Sequence, residues 1–187
     1  MIAHAIQESI DVKQKLLEEK YVEQMRQVAE SLIHAIRSGH TVYSIGNGGS
    51  AADAQHFAAE LAGQFEKKER RPLPAIALTT NTSNITAIAN DFGYEHIFSR
   101  QLVASAKKGD AVFAISTSGN SENIIHALKK ARGLGLTTIG LTGENGGKMK
   151  EWCDRVIMVP STKTARIQEC HLLILHTLCE AIDEAFG

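Results

Sequence analysis

Hydrophobic and polar positions show two different patterns along the chain, one in residues 3–38 and another in the rest. Over residues 3–38 the apolar side chains recur every three to four positions, which is typical of amphipathic helix, and Gly39 ends this region. Beyond it, five short apolar and β-branched runs alternate with further helical segments. The predicted strands are 41–45, 74–79, 111–116, 137–142 and 155–160, and the predicted helices are 50–66, 83–89, 95–107, 121–134 and 165–185.

This alternation predicts an α/β fold. Continuous apolar strands are buried on both faces, and strands joined through helices form a parallel sheet. We therefore expect a three-layer, flavodoxin-like sandwich with a five-stranded parallel sheet and extra N-terminal helices. The 187 residues suit one domain, and no linker composition divides them, so we predict a single domain over 1–187 in which 1–39 is a helical region.

The composition of the chain argues against nucleic acid and membranes as binding partners. The formal net charge of −1 argues against a general affinity for nucleic acid or anionic membranes. No apolar run approaches the ~18–20 residues that cross a bilayer, and the first residues do not have the pattern of a secretory signal. Cys153, Cys170 and Cys179 cannot all pair and suit a reducing compartment. We expect a cytoplasmic protein without membrane or nucleic-acid partners.

A glycine-rich turn, GNGGS over residues 46–50, follows the first predicted strand and opens a helix. Glycines let the backbone approach a ligand, and the free N–H groups of a helix N-terminus favour an anion. Asn47, Gly48 and Ser50 are therefore candidate binding residues. The alternative is a simple strand-to-helix turn in which Ser50 caps the helix.

A second turn, STSGNS over residues 116–121, repeats this arrangement after the third predicted strand. Its four hydroxyls, on Ser116, Thr117, Ser118 and Ser121, match the many hydrogen bonds that a phosphate monoester accepts. Both turns follow strands of one parallel sheet, and open α/β sheets bind ligands at the carboxyl ends of their strands. Together they predict a phosphomonoester site, although Ser121 also suits a helix cap.

Two polar pairs lie on predicted helices. His56 and Glu60 are four residues apart and share a helix face about 6 Å apart. Gln168 and His176 lie two turns apart on the last helix, only ~80° apart around its axis. These four side chains suit either a divalent metal such as zinc or acid/base chemistry. The structural alternative for each pair is a core histidine or a surface ion pair.

The remaining polar positions give weaker signals. Asp91 suits either a hydrogen bond from a sugar hydroxyl or the cap of the following helix. The run EKKERR over 66–71 predicts a solvated loop, with Arg70 or Arg71 reaching a substrate as the alternative. The other five histidines are expected at the surface or in packing: His34, His40, His96, His126 and His171.

Several motifs in this order resemble the phosphoheptose isomerases, which have the SIS (sugar isomerase) fold. The motifs are GNGGS, HFAAEL, NDFGY, ISTSGNS, LTG-x-x-GG and RIQE-x-H-x-x-x-x-H, which lie between residues 46 and 176. The resemblance as a whole covers about residues 5–184. The resemblance implies interconversion of sedoheptulose 7-phosphate and D-glycero-D-manno-heptose 7-phosphate, the entry step of ADP-heptose synthesis for lipopolysaccharide. It also implies a cytoplasmic homotetramer whose N-terminal helices pack between chains.

The resemblance assigns roles to individual residues. Glu60 and His176 are implied as the catalytic acid/base pair, and one zinc ion per subunit is implied at His56, Glu60, Gln168 and His176. Asp91 and Thr117 are implied to contact the sugar. The phosphate is implied to bind Ser116, Thr117, Ser118 and Ser121, with Asn47, Gly48 and Ser50 assisting.

One position departs from the pattern of the family. Gln64 stands in the triplet GQF, where these isomerases often have an arginine, so no cationic contact to the sugar is expected there. A related SIS protein that binds the bacterial replication initiator has similar turns but lacks the helix glutamate and the last histidine. The presence of Glu60 and His176 favours the enzyme over that regulator. A non-catalytic sugar-phosphate sensor is a further alternative.

Overall fold

The computed structural model describes all 187 residues and has a single parallel sheet at its centre. The sheet order is β2-β1-β3-β4-β5, and every neighbouring pair is parallel. The strands are β1 (Val42–Gly46), β2 (Ala75–Ala77), β3 (Ala111–Ser116), β4 (Thr137–Gly143) and β5 (Arg155–Val159).

Seven helices surround the sheet. They are α1 (Ile2–Lys15), α2 (Glu19–Arg37), α3 (Gly49–Ala62), α4 (Thr82–Phe92), α5 (Ile97–Ser105), α6 (Glu122–Gly133) and α7 (Thr164–Phe186). Short 3-10 turns occupy Tyr94–His96 and Lys148–Trp152. No helix is both long and apolar enough to span a bilayer.

Successive side chains of the central strands supply two separate cores. Phe113 packs with Phe57 of α3 and with residues of α2 and α7 on one face of the sheet. Its neighbour Val112 packs with residues of α5 and α6, including Leu128, on the other face. Adjacent strand residues point to opposite faces, so both faces of an apolar strand are buried. This arrangement confirms the predicted three-layer α/β sandwich.

The element boundaries differ from the sequence prediction mainly at the ends. The strand predicted over 74–79 is shortened to three residues, because β2 lies at the sheet edge and pairs only with β1. The helix predicted over 50–66 ends at Ala62, where Gly63 follows. Residues 3–38, predicted as a helical region, form two helices with a turn between Lys15 and Glu19.

The connection order creates a crevice at the carboxyl ends of β1 and β3. From β1 the chain first moves outward to the edge strand β2, then returns to β3 on the other side of β1. Gly46 at the end of β1 pairs with Ile115, so the two polar turns that follow these strands lie side by side. Open α/β sheets bind ligands at such a reversal of strand order.

Candidate functional site

The first turn enters α3 through Gly48, whose positive φ restricts this position to glycine although no neighbouring atom lies close to it. Gly48, with φ of 55°, is the N-cap of α3, and no side chain caps the helix. Ser50 is buried inside the first helical turn. The alternative in which Ser50 caps the helix is therefore wrong, because the chain turns two residues earlier at a conformation that glycine favours.

Gly49 lies against the last helix. A Cβ at this position would come within 2.6 Å of Nε2 of Gln168, so the absence of a side chain allows α7 to approach the first turn. The structure therefore brings Gln168, implied as a zinc ligand by the family resemblance, to the start of α3. It lies beside the first turn, two turns of α7 away from His176.

Asn47 connects the two polar turns through its carboxamide. Its Nδ2 donates to Oδ1 of Asn123 (2.9 Å), and Nδ2 of Asn123 donates back to Oδ1 of Asn47 (2.8 Å). The hydroxyl of Tyr94 also donates to this Oδ1 (3.0 Å). Sequence reasoning identified neither Tyr94 nor Asn123. One side-chain N–H of Asn47 stays free for a ligand, since a carboxamide has two N–H donors and two acceptor positions.

The second turn presents hydroxyls with few competing partners. The Oγ atoms of Ser116 and Ser121 lie 3.3 Å apart, and the backbone N–H of Gly119 donates to Ser116 (3.2 Å). Ser121 occupies the N-cap of α6, yet its side chain makes no capping hydrogen bond. Ser121 therefore stands at the N-cap position, but its hydroxyl does not cap the helix and is available to a ligand.

Two polar cavities flank this turn. One of 240 Å³ is lined by Thr117, Ser118 and Ser161 among others. The second, of 380 Å³, is lined by Asn47, Ser121 and neighbouring polar residues. Neither contains a lysine or arginine. Hydroxyl and amide groups line both cavities, together with the carboxylate of Glu144 in the first and those of Glu95 and Glu122 in the second.

His56, Glu60 and His176 form a compact cluster between α3 and α7. Nε2 of His56 lies 3.0 Å from Oε1 of Glu60 and 3.0 Å from Nε2 of His176. The three ligand atoms all lie within 4.8 Å of one another. The side chain of His56 is 40% exposed and that of Glu60 is 23% exposed, so a small molecule can reach them.

The cluster fits a divalent metal. Zinc binds histidine nitrogen and carboxylate oxygen at ~2.0–2.2 Å, which places tetrahedral ligands ~3.3 Å apart. The two 3.0 Å separations around Nε2 of His56 are close to that spacing. The chemistry of the donors is also appropriate, because imidazole and carboxylate are both ligands that zinc accepts.

Asp53 adds an electrostatic feature one turn before His56 on α3. Its Oδ2 is buried and makes no hydrogen bond. Burial raises the pKa of the Asp53 carboxyl, while the nearby His56 acts in the opposite direction. This carboxyl was not identified from the sequence, in which an aspartate among alanines looks like an exposed helix residue.

Two expectations need correction. Asp91 is exposed in the last turn of α4 and accepts a hydrogen bond from Asn90 (2.8 Å), and it does not cap the following helix. Arg70 is neither solvated nor directed at a ligand, because its side chain is 0% exposed and pairs with Asp183 on α7. The sequence predicts a solvated loop over residues 66–71 because Asp183, the partner of Arg70, lies 113 residues further along the chain.

Known proteins resemble this chain along nearly its whole length. The profile of the SIS domain matches residues 6–143. The phosphoheptose isomerase of Aquifex aeolicus is 55% identical over 177 residues, which cover 95% of this chain and 92% of that protein. That of Aliarcobacter butzleri is 56% identical over 161 residues, which cover 86% and 85%.

Solved structures agree with the sequence relatives. The phosphoheptose isomerase of Neisseria gonorrhoeae superposes with a TM-score of 0.91 at 45% identity, covering 98% of this chain and 97% of that one. The enzyme of Francisella tularensis gives a TM-score of 0.94 at 38% identity, covering 98% and 96%.

The fold, the paired polar turns and the profile match define a SIS-domain protein with a sugar-phosphate site. Within that class the chain belongs to the phosphoheptose isomerase family, and it is an isomerase. The family, fold and class of enzyme predicted from the sequence are thus confirmed. The findings do not favour the alternatives of an initiator-binding regulator or a sugar-phosphate sensor.

Proposed function

We propose that this enzyme interconverts sedoheptulose 7-phosphate and D-glycero-D-manno-heptose 7-phosphate, an aldose–ketose isomerisation within ADP-heptose and lipopolysaccharide core synthesis. The observation that carries the proposal is the pairing of a hydroxyl-rich anion turn with a carboxylate–imidazole cluster at one end of the sheet. The names of the relatives support the same reaction.

The phosphate binds the second turn in this proposal. Hydroxyls of Ser116, Thr117, Ser118 and Ser121 supply hydrogen bonds, and the N–H groups at the start of α6 add a favourable dipole. Asn47, Gly48 and Ser50 contribute from the first turn. The phosphate does not react, so its binding energy serves to hold the reacting carbons against the catalytic groups.

Proton transfer is assigned to two side chains, Glu60 on α3 and His176 on α7. The Glu60 carboxylate takes the proton from the carbon next to the carbonyl and returns it to the neighbouring carbon, through an enediol. His176, which contacts His56 across the helix pair, donates a proton to the carbonyl oxygen, and its imidazole then takes the proton from the other hydroxyl of the enediol as the new carbonyl forms. Asp91 and Thr117 orient the sugar hydroxyls.

One zinc ion per subunit would be held by His56, Glu60, Gln168 and His176. An ion held there would supply Lewis-acid polarisation of the substrate carbonyl. A carboxylate that ligates a metal is a weaker base, so Glu60 cannot fully serve as ligand and as base at the same time.

Exposed apolar side chains support a homotetramer. An apolar groove of 440 Å³ lies between α2 and α7, where Met25 and Leu178 contribute to its walls. Exposed apolar side chains lie on or beside the first two helices and on α7, and three of them (Leu17, Val22 and Leu173) line this groove. The others are Ile2, Ile6, Ile10 and Leu172. Burying such a surface between subunits is favourable. The metabolic role and the cysteine content further support a cytoplasmic location.

The proposal is tested by incubating the protein with sedoheptulose 7-phosphate and following aldose formation, with and without a chelator. We expect turnover that the chelator lowers and added Zn²⁺ restores. Light scattering on the same sample gives the subunit number, which we expect to be four. Failure to form the aldose in the presence of Zn²⁺ would contradict the proposed reaction, and turnover unaffected by chelation would contradict the role of zinc.

A further inference from the structure

The least exposed ion pair of the protein joins the two helices that carry the catalytic cluster. Arg70, in the loop between α3 and β2, has a side chain that is 0% exposed, and its partner Asp183 near the end of α7 is 4% exposed. Burial of an ion pair is by itself weak evidence that the pair stabilises the fold, because apolar side chains of similar volume often replace both partners without loss. Its geometry therefore needs another explanation.

The guanidinium of Arg70 also binds the end of α3. Nη2 donates to the carbonyl of Glu60 (2.7 Å) and Nη1 to the carbonyl of Leu61 (3.0 Å). Both carbonyls belong to the last turn of α3, where they lack partners within the helix, and a cation is favourable there. A planar guanidinium can hold both carbonyls and the carboxylate together, whereas a lysine ammonium cannot.

Asp183 completes the connection from the α7 side. Its Oδ2 accepts the backbone N–H groups of Glu66 (2.9 Å) and Lys67 (3.0 Å). Although burial acts to raise its pKa, these two N–H groups and Arg70 outweigh it and hold the pKa below its usual range. The carboxylate is thus ionised at neutral pH, and it fixes the loop that follows α3.

The consequence concerns the spacing of the catalytic cluster. Asp183 lies seven residues, or two turns, after His176 on α7. Glu60 provides both a catalytic carboxylate and the backbone carbonyl that Arg70 holds. We propose that Arg70 and Asp183 are positioning residues that hold the last turn of α3 against α7 and so fix the distance between Glu60 and His176. This inference rests on the function proposed above.

The test compares Arg70→Lys with Arg71→Lys. Lysine keeps the charge opposite Asp183 but loses the shared contacts to the two carbonyls. The control changes an adjacent, exposed arginine whose guanidinium lies 5.3 Å from the Phe186 ring centroid. For Arg70→Lys we expect kcat for heptose isomerisation to fall by about 10²-fold, since small misplacements of catalytic groups have effects of this size. KM should stay within about twofold, because the phosphate turns do not contact Arg70.

Binding of Co²⁺ alone, followed by its visible absorption, gives a readout independent of turnover. We expect its Kd to rise about tenfold in Arg70→Lys, because residues that orient metal ligands have effects of this order. Circular dichroism at the assay temperature checks that the variant is folded. Asp183→Asn, which keeps one oxygen acceptor but loses the charge, is measured in the same way and replaces Arg70→Lys if that variant does not fold.

The outcomes distinguish positioning from general stabilisation. A merely structural pair would lower the unfolding midpoint while leaving kcat and Co²⁺ affinity of the folded fraction at wild-type values, and that result would overturn the inference. A rise in KM equal to the loss of kcat would also contradict it. If the wild-type protein neither isomerises the substrate nor binds Co²⁺, the proposed function fails and this inference fails with it.

Discussion

A buried histidine gives the stability of this enzyme a defined dependence on pH. His171 lies on α7, its residue is 0% exposed, and neither of its ring nitrogens makes a hydrogen bond. Burial lowers the pKa of His171 to about 4, although the nearby Thr142 backbone acts in the opposite direction. The imidazole is therefore neutral in the folded protein at pH 7.

The magnitude follows from linkage. In the unfolded chain this imidazole binds its proton near pH 6.5, and in the folded protein only near pH 4. The contribution of the neutral His171 to the free energy of unfolding is thus fully present above pH 6.5. It is lost as the pH falls toward 4, because the unfolded chain binds the proton at a higher pH than the folded protein does. The difference between the two pKa values corresponds to about 3 kcal/mol of the free energy of unfolding.

The assay compares wild type with His171→Leu, which replaces the imidazole by a non-titrating apolar side chain. Urea denaturation at about pH 7 and about pH 4 gives the free energy of unfolding of each. We expect the difference between the proteins to shift by about 3 kcal/mol in favour of His171→Leu at the lower pH. His4→Leu, at an exposed position of α1, controls for the loss of one histidine. A difference that does not change with pH, or that shifts toward wild type in acid, would refute the reasoning.

Three further substitutions test the site. Glu60→Gln should keep substrate binding but lower turnover by at least ~10²-fold in a coupled aldose assay, whereas the exposed Glu180→Gln should not; wild-type turnover in the first would remove Glu60 from the mechanism. Ser118→Ala combined with Ser121→Ala should raise KM far more than it lowers kcat, and an unchanged KM would contradict the phosphate site. Tyr94→Phe removes one hydrogen bond to the first turn, worth about 1 kcal/mol, and should raise KM several-fold in steady-state kinetics; an unchanged KM would show that this bond does not support the turn.

The sequence predicts the fold well where burial decides it. β3 spans the predicted residues 111–116, because a central strand is apolar on both faces and its hydrophobic run has the same length as the strand. β2 is shorter than its run, since pairing along only one edge depends on the neighbouring strand rather than on local composition.

The site is predictable where one turn or one helix carries the signal. The pair His56 and Glu60 shares a helix face by spacing alone, and the geometry brings His176 to it. Tyr94 and Asn123 could not be found in this way. Their hydrogen bonds to Asn47 span 47 and 76 residues of sequence, and no local pattern distinguishes them from a surface tyrosine and a helix-start asparagine.

Arg70 shows why charged positions are read least reliably from sequence. All six side chains of the run EKKERR are charged, and each charge considered alone is more stable in water than buried. A buried charge is tolerated only where several partners compensate it. For Arg70 those partners are the carbonyls that end α3 and a carboxylate on α7, and they come together only when the two helices pack. The packing of α3 against α7 also brings His176 to His56. The sequence prediction fails at Arg70 because the partners of Arg70, like those of the His56 cluster, meet only after these two helices have packed.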